Sequence, residues 1–95
     1  MKIQEITSYL ESWAPLALQE SYDNSGLIVG DSQSDVTGVL VSLDCTEAII
    51  EEAVRTKCNL VVSHHPIVFS GLKKITGKNY VERTIISAIK NNIDI

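Results

Sequence analysis

No apolar run in this 95-residue sequence approaches the length needed to cross a membrane; Val39-Leu40-Val41 and Leu60-Val61-Val62 are among the longest. The opening Met1-Lys2-Ile3-Gln4-Glu5 is too polar and acidic for a secretory signal, so a cytoplasmic location is expected. Cysteine is scarce: Cys45 and Cys58 stand thirteen positions apart, a spacing of neither metal nor redox motifs, and read as buried free thiols in a reducing compartment. Basic residues are almost missing from the first half. Residues 1–52 hold ten acidic side chains and one lysine, whereas residues 53–95 hold two acidic and seven basic ones, for a net charge of −4. That balance excludes general binding to a phosphate backbone. No repeat is present. The hydrophobic share, 44%, excludes a disordered tail and is ordinary for one domain with a modest core.

Within that frame the pattern is that of an α/β chain. Ile3, Ile6, Leu10 and Trp13, with Tyr9 beside them, share one face of a helix over 3–13, which Pro15 stops at about Ala14. The stretch 19–26 is polar and rich in turn residues; Leu27-Ile28-Val29 is expected as a short strand closed by Gly30-Asp31, followed by a turn over 32–35. Val36 to Leu43 reads as a buried strand, and Thr46 as the cap of a helix to about Lys57 that buries Ile49, Ile50, Ala53 and Val54 and pairs Glu51 with Arg55 outside. A second buried strand covers 59–63. A helix over 79–91 turns Tyr80, Thr84, Ile85, Ala88 and Ile89 inward, and 93–95 begins a further strand. The order predicts one α/β unit over 1–95, a parallel or mixed sheet flanked by helices, with ligands bound at the carboxyl edge of the strands. Asp44 and His64-His65 fall at that edge.

Those two histidines are the only ones in the chain, and chance makes two histidines neighbours roughly once in 50 sequences of this length. Imidazole ligates zinc, iron and nickel, and successive side chains of extended backbone diverge, so the pair can serve two nearby metals or one metal and a substrate. Pro66 holds His65 toward extended geometry. A pair that merely hydrogen-bonds at a strand end is equally compatible with the spacing. Two histidines do not complete a site. Asp44 is a candidate further ligand or a helix cap, and Cys45 and Asp23 are weaker candidates. Lys73, Lys74, Lys78 and Arg83 form either a solvated face or an attractor for a small anion. Gly71 to Lys78 is no phosphate loop: five residues separate its glycines, and Asn79 follows the lysine.

Three stretches, taken together, resemble the N-terminal part of the Nif-three-like family (NGG-one-interacting factor three), whose members also carry the description GTP cyclohydrolase I type 2. They are Trp13-Ala14-Pro15 with Tyr22-Asp23-Asn24-Ser25-Gly26-Leu27 and Gly30-Asp31; Val39-Leu40-Val41-Ser42-Leu43-Asp44 with Thr46; and Leu60-Val61-Val62-Ser63-His64-His65-Pro66-Ile67-Val68-Phe69 with Leu72-Lys73-Lys74-Ile75-Thr76. Tyr22 stands where the family usually has tryptophan, and Cys45 is unusual in its stretch. The resemblance implies an intertwined α/β fold, a ring-shaped homohexamer and a dinuclear centre of divalent metals (zinc, iron, nickel or manganese) bound through His64 and His65. It also implies further ligands beyond Ile95, first an aspartate of a His-Thr-Asn-x-Asp-like motif, so the chain reads as an N-terminal fragment. The implied activity is metal-dependent hydrolysis of a nucleotide or other small anion; the alternative is a metal-stabilised scaffold that binds partner proteins without turnover.

Overall fold

A computed structural model describes residues 1–14, 24–68 and 71–95. Its elements are α1 (Ile3–Trp13), β1 (Val39–Ser42), α2 (Glu47–Arg55), β2 (Leu60–Ser63) and α3 (Tyr80–Lys90). β1 and β2 pair in parallel with Val39 opposite Leu60 and Ser42 opposite Ser63, and α2 is the crossover between them. The sheet extends beyond the two strands. Asp94 bridges Leu60 in parallel, with the Val61 amide on its carbonyl at 2.8 Å, while Ile95 and Val29 exchange a reciprocal pair of backbone bonds in the antiparallel manner. The expected strand at 27–29 is therefore reduced to this short contact, and the 93–95 segment lies where the sequence places a further strand.

Local chemistry accounts for the helices. The Thr46 hydroxyl accepts from the Ile49 amide at 3.3 Å, and the Asn79 side chain accepts from the Glu82 amide at 2.9 Å, so α2 and α3 each begin on a side-chain cap. The first amides of α1 are satisfied differently: Ile3 and Gln4 donate to the carbonyls of Ser34 and Ser32. Ala14 leaves helical geometry (φ −136°, ψ 81°), and Pro15 lies outside the described residues, as do Asp23, Tyr22, Phe69 and the first half of the polar stretch. The core joins Ile50 and Ala53 of α2, Val61 of β2 and Ala88 of α3 with Cys45, Ile67, Ile93 and Ile95.

Several expectations need correction. The strand predicted over 36–43 is formed only by 39–42, because Asp35 bridges Lys2 and the Val36 amide donates to Met1, so that stretch pairs with the start of the chain. Nor is it buried. Val39, Val41 and Leu43 alternate onto an uncovered face, Val41 being 74% exposed. α1 meets the same fate: Ile3 is buried, but Leu10 and Trp13 are exposed. α2 ends at Arg55 rather than near Lys57, which turns into left-handed geometry (φ 61°); Val54 is exposed, and Arg55 approaches Glu52 at 4.0 Å instead of Glu51. On α3, Thr84, Ile85 and Ala88 face inward as expected, Tyr80 and Ile89 do not, and Glu82 is buried instead. Both cysteines are free thiols, Cys45 buried and Cys58 half-buried.

Candidate metal centre

The parallel pairing continues past the last strand residues: His64 and His65 donate their amides to the carbonyls of Ser42 and Leu43 at 3.1 and 3.0 Å. Each strand exit carries the same local lock. Ser42 donates its hydroxyl to the Asp44 carbonyl, and Ser63 donates to that of His65, both at 2.8 Å. These bonds, with Pro66 behind them, hold both histidine backbones at the carboxyl edge of the sheet, where the strand order places a ligand crevice.

The imidazoles stay together. Their centroids are 4.8 Å apart with planes inclined at 55°, and both rings are exposed. Nδ1 of His65 lies 2.7 Å from Oδ1 of Asp44, brought beside it by the strand pairing from 21 positions earlier. A carboxylate only accepts, so Nδ1 carries the proton, and in that tautomer Nε2 is the nitrogen with the lone pair. That is the arrangement by which a carboxylate orients a metal-ligating histidine. Of the two roles open to Asp44, the structure assigns its side chain to His65, while Thr46 caps the helix. The pair also divides two clefts: His64 borders one of about 530 Å³ between α1 and the sheet, and His65 one of about 420 Å³ that also touches Asp44, Thr46 and Tyr80.

The other candidates separate from this pair. Cys45 points into the core, and burial pushes its thiol up to about 11, so it is no thiolate at neutral pH. Asp23 lies outside the described residues. Arg83 is tied to Glu47, its Nε donating to Oε1 at 2.8 Å, which leaves Lys73, Lys74 and Lys78 as the exposed cations of the loop. Among the described residues, no group of three or more His, Cys, Asp or Glu side chains converges on one point. His64 and His65 thus suit a metal in donor type and orientation but supply only part of a coordination sphere.

Two carboxylates escaped the reading from sequence. Glu82, only 8% exposed, accepts from the amides of Thr76 and Lys78 and from the Asn79 side chain, ordering the loop ahead of α3. Asn79 followed three residues later by Glu82 is a capping-box pattern and was the available signal. Asp94, equally buried, packs its carboxyl over Gly30, and burial raises it above the ordinary carboxylate range; no local pattern marks it. No helix among the described residues is long and apolar enough to cross a membrane.

Known proteins share the sequence and the fold of this chain. The chain is 42% identical to the GTP cyclohydrolase 1 type 2 homolog of Clostridium perfringens and 39% identical to that of Clostridium acetobutylicum, in each case over all 95 residues. It spans about a third of the length of these curated relatives, 36% and 35% respectively. Among solved structures, a Bacillus cereus protein related to NIF3 superposes with a TM-score of 0.91 at 36% identity, over 100% of this chain and 26% of that one. The family model described as Duf34/NIF3 (NGG1p interacting factor 3) matches residues 1–95, and the chain belongs to that family.

Proposed function

We propose that His64 and His65 ligate divalent metal ions and that the intact protein is a metal-dependent hydrolase acting on a nucleotide or other small anion. The observation that carries this reading is the 2.7 Å bond from His65 to Asp44 beside the His64 ring, which leaves one correctly oriented nitrogen and a second imidazole at the same edge. Zinc, iron, nickel and manganese all suit imidazole donors, and a bound divalent ion supplies Lewis acidity and brings the pKa of water toward neutrality. Asp44 fixes the tautomer of His65, and the exposed Lys73 and Lys74 attract the anionic end of a substrate. The name carried by the Clostridium relatives, GTP cyclohydrolase 1 type 2 homolog, favours a nucleotide. The remaining ligands come from the rest of the intact protein, assembled as a homohexamer in the cytoplasm.

A scaffold role is the second reading, favoured by the apolar side chains left uncovered on α1 and β1. Metal analysis of the intact protein, followed by turnover of a nucleotide panel, tests both. His64→Ala and His65→Ala are expected to lose most of the bound metal, and Asp44→Asn to weaken metal affinity about 10- to 100-fold. Wild-type protein purified without metal, or His65→Ala with metal content unchanged, rejects the metal reading. Metal binding without hydrolysis of any nucleotide leaves the scaffold.

A further inference from the structure

Tyr80 precedes Thr84 and Ala88 by four and eight positions on α3, and both of these are fully buried. Tyr80 itself is 58% exposed. It borders the cleft of about 420 Å³ that it shares with Asp44, Thr46, His65 and Ile67. The volume lies within the range of small-molecule sites. The backbone that carries the ring is anchored, since the Thr84 hydroxyl donates to the Tyr80 carbonyl at 2.7 Å and Glu82 accepts from the amides of Thr76 and Lys78 and from the Asn79 side chain. Charge in the neighbourhood is uneven. Asp44 is engaged with His65 and Arg83 with Glu47, whereas Lys78, two residues before Tyr80, is exposed.

We propose that Tyr80 is a specificity-determining residue of this cleft: it stacks the planar ring of an anionic ligand, the chemistry of a purine nucleotide, with the anionic group directed away from Asp44 toward Lys78. This rests on the reading of His64 and His65 above, because the stacked ring places the rest of the ligand beside them. An aromatic face binds any planar ring with little regard to its hydrogen-bonding edge, so the residue selects for a base and not for one particular base. Tyr80 acts by positioning and transfers no proton.

Calorimetric titration of the intact protein with AMP, GMP and ribose 5-phosphate tests the proposal, since the last probe keeps sugar and phosphate but lacks the ring. The wild type is expected to bind both nucleotides more tightly than ribose 5-phosphate. Tyr80→Ala should lose at least about fivefold in nucleotide affinity with ribose 5-phosphate unchanged, and Tyr80→Phe should stay within about twofold of the wild type. Equal wild-type affinity for all three probes overturns the proposal, as does a loss in Tyr80→Ala shared by ribose 5-phosphate. A Tyr80→Ala protein that melts earlier but binds nucleotides normally also overturns it, because the ring is then covered by protein. Metal content measured on the same samples keeps the two readings apart: retained metal with no ring effect removes Tyr80 alone, and a ring effect without metal removes the metal reading alone.

Discussion

Single residues here are constrained by what lies against them more than by their own propensities. Gly30 adopts φ +124°, a region that L side chains rarely enter, and a Cβ built on it would fall 1.9 Å from Oδ1 of Asp94. Glycine is required twice over, once for backbone and once for space. Gly30→Ala is therefore expected to destabilise the protein by about 2–4 kcal/mol, combining a strained dihedral with overpacking. Urea unfolding measures this directly, and a change below about 0.5 kcal/mol, the scale of an ordinary surface substitution, would contradict it. Asp44 illustrates the same dependence. By sequence it is an acidic residue three positions before a helix, as suited to capping as to ligation; only its distance to His65 decides between them.

Elements are set mainly by local chemistry, and their burial is not. The cap at Thr46, the start of α3 at Asn79 and the break before Pro15 agree closely with the sequence pattern, because each depends on neighbours within a few positions. The loop before α3 adds a pH-sensitive element. The Thr76 amide, assisted by Lys78, holds the Glu82 carboxyl below its ordinary value against the opposing effect of burial. A carboxylate whose folded pKa is lowered contributes stability above its unfolded pKa, and that contribution disappears as pH falls through the folded value. Glu82→Gln should thus lower the urea midpoint at neutral pH, with the gap from wild type closing as the pH falls below the ordinary carboxylate range. A gap of constant size across that range would show that the ionised form is not what orders the loop.

For the whole molecule the decisive quantity is surface. The chain exposes 6350 Å², whereas a self-contained protein of 10.4 kDa is expected to expose about 5,400 Å². Large apolar side chains contribute to it: Trp13 and Val41 are each about three-quarters exposed, and Leu43 and Leu10 are exposed less fully. A chain spanning about a third of its relatives' length has these faces available for contacts it cannot make within itself. The 95 residues prepared alone are expected to bind a hydrophobic dye and to elute above monomer size as concentration rises, with Val41→Lys and Leu10→Lys together reducing both effects. A sharp monomer peak without dye binding would show that these faces close on themselves.

Element order, helix caps, the parallel strand pair and the position of His64-His65 at its carboxyl edge were legible in the amino-acid order, since periodicity, capping and turn chemistry act over a few residues. Family membership was legible for the same reason, from short motifs read together. Burial was not. Apolar pattern states which face seeks cover, but whether cover exists depends on what packs against it, and Leu10, Trp13, Val41 and Tyr80 stay exposed. Nor could spacing join residues distant along the chain: the bond from Asp44 to His65 and the packing of Asp94 on Gly30 exist only because paired backbone brings separate segments within a few ångströms.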